Sequence, residues 1–166
     1  MARAEFRFEA VLPALVDATD QRFWRLRLAK LAEEDGVLHV AVMREPFLSL
    51  LLDGTKTVES RFSVNRIPPY NQVEVGDVLV LKEASGPLSG LALVKAVHYF
   101  ELDENVLGEL RAKYALQIAA TEDSFWRERA NKNYATLIEV ANPARISQVD
   151  VAKRDRRGWA PLVPTG

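Results

Sequence analysis

Three residues with complementary chemistry, Lys56, Glu59 and Arg61, lie within the segment GTKTVESR at residues 54–61, directly after an apolar stretch. Charges this close to an apolar segment need one another, or a ligand, to offset their loss of hydration. A buried lysine with a lowered pKa can act as a base or nucleophile while a glutamate relays protons, whereas an ionised lysine donates to a phosphate or carbonyl. The spacing alone leaves three uses open: a structural ion pair, ligand binding or catalysis.

The alternation of this segment predicts which side chains share a face. If residues 56–62 form a strand, Thr57, Glu59 and Arg61 lie on one face, because successive side chains of a strand point to opposite sides. Glu59 and Arg61 are then about 6–7 Å apart along the strand. At that separation they can pair directly or clamp a planar polar ligand such as a nucleobase edge. Lys56 precedes the strand and can turn into the same pocket as Glu59.

Further polar residues lie near the motif or at the predicted ends of strands. Lys82 and Ser85 close one strand, where strand ends line the mouth of a barrel, although a solvated charge is the simpler interpretation of Lys82. Tyr134 begins the last strong strand and could stack, donate a hydrogen bond or fill the core. The residues that follow the motif in a loop would face any ligand held there: Ser63, Asn65 and Arg66.

The aromatic residues and histidines have simpler interpretations. We expect Phe125-Trp126 to be core, His39 to be a core histidine with its hydrogen bonds satisfied, and His98 to lie at the surface. Trp159 follows Arg156-Arg157-Gly158, and it either anchors the tail or offers a stacking platform with basic flanks.

The composition excludes several classes of site. The 166 residues include no cysteine and only two histidines, so we expect no disulfide, no thiolate chemistry, no metal centre and no cofactor. The 48% hydrophobic content is typical of a globular domain with a real core. No apolar run approaches the roughly 18 residues of a membrane span, and the first residues lack the apolar core of a signal peptide. We therefore expect a cytoplasmic protein.

The charge is nearly balanced, at −1 overall, but it is unevenly distributed. Residues 141–166 carry 5 basic and 2 acidic side chains, and the basic ones cluster at Lys153, Arg154, Arg156 and Arg157. Such a cluster is usually solvated surface, but a local basic patch is also what contacts phosphate in nucleic-acid binders.

The order of the predicted elements indicates an α+β fold with a small barrel. Residues 1–36 form an N-terminal helical extension, in which Pro13 lies in a first turn or divides two helices, and residues 37–166 form the main domain. We expect a loop at 63–74 and an irregular tail at 146–163. The predicted strands are 37–42, 56–62, 78–83, 90–100 and 134–140, and the predicted helices are 46–53, 103–118 and 123–130.

The pattern G-x-K-x-x-E-x-R, formed by Gly54, Lys56, Glu59 and Arg61 after the helix-like run PFLSLLLD, resembles the signature of the ASCH family. The turn Val75-Gly76-Asp77 and the tail from Arg145 to Trp159 also look like that family, so the resemblance covers about residues 37–163. It implies a PUA-like β-barrel with covering helices and a cleft suited to RNA or a modified nucleoside.

The resemblance also implies two hydrolase alternatives. Some family members remove the acetyl group of acetylcytidine with a lysine, a threonine and a glutamate. Here Lys56 matches the lysine, Glu59 stands in place of the threonine, and Glu109 or Glu122 would have to replace the glutamate. Another member is described as a metal-dependent ribonuclease. In that reaction Lys56 would stabilise charge and Glu59 would act as a base, with Tyr134 or Ser85 around the phosphate.

The sequence therefore predicts a protein that binds RNA or a modified nucleoside, with its oligomeric state open. If it is a hydrolase, the candidate catalytic residues are Lys56, Glu59 and Tyr134. The candidate ligand contacts are Thr57, Arg61, Ser63, Asn65, Arg66, Lys82 and Ser85. A third alternative is an interaction module that does not bind nucleic acid, in which the charged trio is only a structural ion pair.

Overall fold

The structure, a computed structural model, describes residues 3–166 and has a mixed α+β fold. Its strands are β1 (Ala4–Glu5), β2 (Leu38–Met43), β3 (Val58–Ser63), β4 (Val78–Glu83), β5 (Leu88–Glu101), β6 (Tyr134–Val149), β7 (Val151–Ala152) and β8 (Trp159–Leu162). Its helices are α1 (Phe8–Ala18), α2 (Arg22–Glu33), α3 (Phe47–Leu52), α4 (Glu104–Ile118) and α5 (Asp123–Arg127).

Six strands form one curled sheet in the order β3-β6-β5-β4-β2-β8. All neighbours are antiparallel except β2 and β4, which are parallel. The register between the long strands β5 and β6 shifts at three places, and such irregularities bend strands and increase their twist. The sheet therefore curls into a half-barrel whose edge strands are β3 and β8. The predicted α+β fold with a small barrel is confirmed.

Alternating residues of β2 and β4 belong to two different hydrophobic cores, one on each face of the sheet. Val40 and Val80 face outward, where α1 and α2 cover them with Leu15, Trp24 and Leu28. The residues of the opposite parity, among them Ala41, Met43, Leu79 and Leu81, face the inside of the half-barrel and pack with α3. This alternation follows from the two-residue period of a strand, and it fills both faces of the sheet with apolar side chains.

A third core joins α4 and α5 to β3 and β6. Asp103 caps the start of α4, and its carboxylate accepts a hydrogen bond from the backbone N–H of Val106 at 2.8 Å. Trp126 is buried, and its indole N–H donates to the carbonyl of Ala120 at 2.8 Å. The prediction that this tryptophan belongs to the core is confirmed.

Both ends of the chain differ from the sequence-based expectations. Pro13 lies inside α1, and the two N-terminal helices separate at residues 19–21 instead. The expected irregular tail is wrong, because β6 continues to Val149 and is followed by β7 and β8. These short strands form because they pair with strands that are distant in the sequence, β7 with β1 and β8 with β2. No local sequence pattern marks them. Within the described residues, no helix has the length and apolar character needed to cross a membrane.

Candidate functional site

The turn between α3 and β3 brings Lys56 to the inside of the half-barrel. Gly54 adopts a φ of +86°, a left-handed conformation that favours glycine. The carboxylate of Asp53 accepts from the backbone N–H of Thr55 at 2.9 Å, and the N–H of Lys56 donates back to the carbonyl of Leu50 at 2.9 Å. These contacts reverse the chain between α3 and β3, and Nζ of Lys56 comes to lie 5.4 Å from the ring centre of Phe47, the first residue of α3.

Lys56 is 1% exposed, and its ammonium group has three acceptors. Nζ donates to the carbonyls of Val58 and Ile118, both at 2.7 Å, and lies 3.3 Å from Oε1 of Glu59. Burial lowers the pKa of Lys56, and the adjacent Glu59 carboxylate opposes that shift. Because all three N–H groups are matched by acceptors, the amine is held as a fixed donor.

Glu59 is the centre of the charged group and is 6% exposed. Its Oε1 accepts from the backbone N–H of Ser60 at 2.9 Å, and its Oε2 accepts from Nη2 of Arg61 at 3.0 Å. Burial acts to raise the pKa of Glu59, but the charges of Lys56 and Arg61 and the Ser60 N–H outweigh it and lower the pKa. The carboxylate is therefore ionised at neutral pH.

Arg61 connects the two edges of the curled sheet. From β3, its Nη2 donates to the carbonyl of Val42 at 2.8 Å and its Nη1 donates to the carbonyl of Gly158 at 3.0 Å. Its guanidinium also lies 5.2 Å from the centre of the Trp159 ring, within the range of a cation–π contact. Arg61 thus spans the opening between β3 and β2, at the place where the half-barrel is not closed by backbone pairing.

A cavity of about 470 Å³, which we call the cleft, opens beside these three residues. Five basic and two acidic side chains line it together with three phenylalanines: Arg44, Phe47, Lys56, Glu59, Arg61, Phe62, Phe125, Glu128, Arg129 and Lys132. These residues come from the segment between β2 and α3, the start of α3, the turn before β3, β3 itself, and α5 with the turn that follows it. The cleft therefore combines a positive charge excess with aromatic walls.

Arg129 is the second fixed arginine of the cleft. Its guanidinium lies 3.5 Å from the ring centre of Phe125 and 5.4 Å from that of Phe62, and its Nη1 donates to the carbonyl of Phe125 at 2.8 Å. Burial lowers the pKa of Arg129 from its usual value, although Glu128 and Glu59 oppose this. The usual pKa of arginine is so high that Arg129 stays charged at neutral pH despite this lowering.

A smaller cavity of about 160 Å³ continues on the other side of Arg61 and Phe62, which line both spaces. Its further lining comes from β3, from the loop before β4 and from Trp159, and includes Ser63 and Tyr70. The ring of Tyr70 packs against that of Tyr134, with centres 4.8 Å apart. Within the described residues, no group of three or more aspartate, glutamate or histidine side chains is arranged to hold a metal ion.

Solved structures share this arrangement of strands and helices. The crystal structure of ASCH from Zymomonas mobilis aligns with 68% of this chain and 73% of its own, at 17% identity and a TM-score of 0.55. A single-substitution variant of that protein aligns with 70% of this chain and 75% of its own, at 18% identity and a TM-score of 0.55. The chain has the ASCH fold. No family model and no curated protein matches the sequence.

The ASCH fold brings some of the predicted site residues together and separates others. Lys56, Glu59 and Arg61 meet, as their spacing predicted. Thr57 is exposed just before β3 and lies outside both cavities. Tyr134 pairs with Ser63 at the far end of β3, so it is not beside Lys56.

The loop residues Asn65 and Arg66 are exposed at that same far end. Arg66 donates to Glu101 at 3.2 Å, and its guanidinium lies 5.2 Å from the ring centre of Tyr134. These residues are therefore near the smaller cavity and not in the cleft itself.

Lys82 and Ser85 lie outside the cleft, in a third cavity with Lys153. The expectation of a solvated Lys82 is wrong, because the residue is only 7% exposed. It is covered by the N-terminal segment and β7, whose approach to β4 depends on pairing between distant parts of the chain.

Sequence reasoning missed most of the cleft walls. Phe47, Arg44 and Arg129 were not singled out, although the ring centre of Phe47 lies 5.4 Å from Nζ of Lys56. One local signal was available for Arg129. It stands four residues after Phe125, a spacing that places two side chains together on a helical turn.

Proposed function

We propose that the protein binds RNA or a modified nucleoside in the cleft beside Lys56, Glu59 and Arg61. The observation that supports this proposal is the combination of aromatic walls and fixed arginines in one cavity. Nucleobases stack on aromatic rings and on arginine planes, and each stacked base contributes about 1–3 kcal/mol to binding. Basic side chains at the rim, Arg44 and Lys132, are suited to the phosphates.

The charged trio has two tasks in this proposal. Lys56 holds the Glu59 carboxylate, and Glu59 in turn holds one edge of Arg61. Arg61 uses three N–H groups on Val42, Gly158 and Glu59, which leaves its other N–H groups for an acceptor on a base. The network thereby fixes an arginine plane in the opening of the half-barrel.

The second cavity favours a ligand longer than one nucleoside. Arg61 and Phe62 stand between a space of about 470 Å³ and a space of about 160 Å³, and both spaces have aromatic lining. A single-stranded RNA could place one base on each side of Arg61. A free nucleoside would occupy only the larger space, so a strand makes fuller use of the site.

Binding is better supported than hydrolysis by Lys56. A lysine that acts as a nucleophile or base needs an accessible amine with a lone pair. Here Nζ is buried and surrounded by two carbonyls and a carboxylate, and Tyr134 lies at the other end of β3. The geometry suits a charge that organises the site more than one that attacks a substrate.

The test is the affinity of short single-stranded RNA, measured by fluorescence anisotropy at several salt concentrations. Arg129→Ala should weaken binding about tenfold or more, because one stacked cation is worth roughly 1–2 kcal/mol when it is desolvated. Arg127→Ala is the matched control, since Arg127 is the last residue of α5, two positions before Arg129, and its side chain is 71% exposed. Equal affinities of the two variants would refute the proposal. Turnover of RNA or acetylcytidine that is lost in Lys56→Ala would replace it with the hydrolase alternative.

A further inference from the structure

A third cavity, of about 310 Å³, lies where the start of the chain meets the turn between β4 and β5 and the segment around β7. Three basic residues line it, Arg3, Lys82 and Lys153, together with Ser85 and a single carboxylate, that of Asp150. We call it the lysine pocket. Its charge is therefore positive even when Asp150 is ionised.

The lysine pocket is on the opposite face of the sheet from the inside of the half-barrel. Lys82 is on the same face of β4 as Val78 and Val80, which point toward α1 and α2. Leu79 and Leu81 are on the other face and point to the interior of the half-barrel. Its neighbours in the pocket also come from this outer face. The pocket is thus a separate site, and an inference about it does not rest on the function proposed for the cleft.

Lys82 is a buried charge with little compensation. The residue is 7% exposed, and the hydrogen bond of its ammonium group goes to a neutral carbonyl, that of Glu83, at 3.1 Å. Among the described residues, no carboxylate lies within 4.0 Å of Nζ of Lys82. Lys56 shows the contrast, since it is even more deeply buried but has Glu59 at 3.3 Å. Burying an ammonium group without an anion is costly, so an anionic partner from outside the chain would stabilise this arrangement.

Lys153 adds a second positive charge to the pocket and so also favours an anionic partner. Its side chain is 6% exposed, and Nζ donates to the carboxylate of Asp155 at 2.9 Å and to the carbonyl of Asp155 at 2.8 Å. Lys82 and Lys153 line the same cavity. Burial lowers the pKa of Lys82, repulsion from Lys153 lowers it further, and the Glu83 carboxylate opposes both effects. Asp155 pairs directly with Lys153, whereas the carboxylate of Glu83 acts on Lys82 only from beyond 4.0 Å, so Lys82 is the less compensated of the two lysines.

We propose that the lysine pocket binds a phosphate group, with Lys82 as the principal donor. Lys153 and Arg3 would add positive charge, and the exposed hydroxyl of Ser85 stands on the turn at the rim. Phosphate suits the pocket because its oxygens accept hydrogen bonds from several donors at once and lysine binds it as a point charge. The phosphate belongs either to a small phosphorylated molecule or to the backbone of an RNA whose bases lie in the cleft.

The test compares Lys82→Met with Lys95→Met, in titrations with inorganic phosphate at constant ionic strength. Lys95 is the matched control because it is an exposed lysine on the adjacent strand β5. Wild type and Lys95→Met should bind phosphate with the same affinity, and Lys82→Met should bind at least tenfold more weakly. Lys82→Arg, which keeps the charge, should retain most of the affinity. Thermal unfolding in phosphate and in chloride should show the same order.

Two results would overturn the proposal: wild type that does not bind phosphate, or Lys82→Met that binds it as well as wild type does. If Lys82→Met does not fold, Lys153→Met repeats the comparison, and a smaller but measurable loss of phosphate affinity is expected because Lys153 is already paired with Asp155. The source of the phosphate follows from single-stranded RNA titrated into the same variants. A parallel loss of RNA affinity in Lys82→Met identifies the RNA backbone, whereas unchanged RNA affinity identifies a small phosphorylated molecule.

Discussion

The indole N–H of Trp159 donates to Nδ1 of His39 over 3.1 Å, and this contact determines the tautomer of the histidine. An indole nitrogen can only donate, so Nδ1 must be the unprotonated nitrogen of the ring. The proton is then on Nε2, which donates to the carboxylate of Asp77 at 2.8 Å. The other contact of Trp159 is with the guanidinium of Arg61, so a buried chain of hydrogen bonds positions the ring beside the cleft arginine.

His39→Leu should destabilise the protein by about 1–3 kcal/mol, because it leaves the buried indole N–H without an acceptor and removes one of the two hydrogen bonds to Oδ2 of Asp77. Urea unfolding measures the change, and nitrogen-15 NMR of the wild type should show a protonated Nε2 and an unprotonated Nδ1. His98→Leu is the control. His98 forms an exposed contact with Glu139, and its loss should change stability by no more than about 0.5 kcal/mol. Equal effects of the two substitutions would contradict the proposed role of His39.

Glu59→Gln should cost about 3–5 kcal/mol at pH 7, because removing one partner of a buried ion pair leaves the other charges uncompensated. The folded pKa of Glu59 lies below its ordinary value of 4.5. Its stabilising effect is therefore fully present above pH 4.5 and is lost as the pH falls through the folded pKa. The difference between wild type and Glu59→Gln should accordingly shrink in acid, as measured by urea unfolding at pH 7 and pH 3. A difference that is independent of pH would show that Glu59 is not ionised in the folded protein.

Arg61→Lys should reduce both stability and ligand affinity although the charge is kept. The planar guanidinium of Arg61 donates to the carbonyls of both Val42 and Gly158 and stacks on Trp159. The ammonium group of a lysine has no such plane, so it cannot make these contacts together. We expect a loss of about 1–3 kcal/mol in the free energy of unfolding. The affinity for single-stranded RNA should fall at the same time. Arg66→Lys serves as the comparison, because Arg66 is exposed and its stability effect should be small.

The charged trio could be predicted from the sequence because its geometry is local. Glu59 and Arg61 share a face through the two-residue period of β3, and Gly54 marks the end of α3. Likewise, the helix and strand order followed from apolar patterns within short windows. Such patterns involve residues that are close together in the chain, and the tertiary contacts of the folded protein favour the same local structure.

What the sequence did not predict depends on contacts between distant residues. Strand β8 exists because Trp159–Leu162 pairs with β2, more than a hundred residues earlier in the chain. Lys82 is buried because the N-terminal segment and β7 cover the end of β4, and Arg129 reaches the cleft only because α5 packs against β3. Periodicity contains no information about such approaches, so the sequence pattern predicts a solvated Lys82 and does not predict that Arg129 lines the cleft.

Gly54→Ala and Gly108→Ala should have opposite effects on stability. In neither position would an added Cβ meet another atom within 4 Å, so the difference comes from the backbone alone. Gly54 has a φ of +86°, where a side chain costs about 1–2 kcal/mol, whereas Gly108 lies inside α4, where alanine gains about 0.5–1 kcal/mol. Urea midpoints of the two variants measure the contrast. Because Gly54 also sets the turn that directs Lys56 into the half-barrel, Gly54→Ala should weaken RNA binding and Gly108→Ala should leave it unchanged. A stable Gly54→Ala protein with full affinity would show that this turn does not need the left-handed conformation.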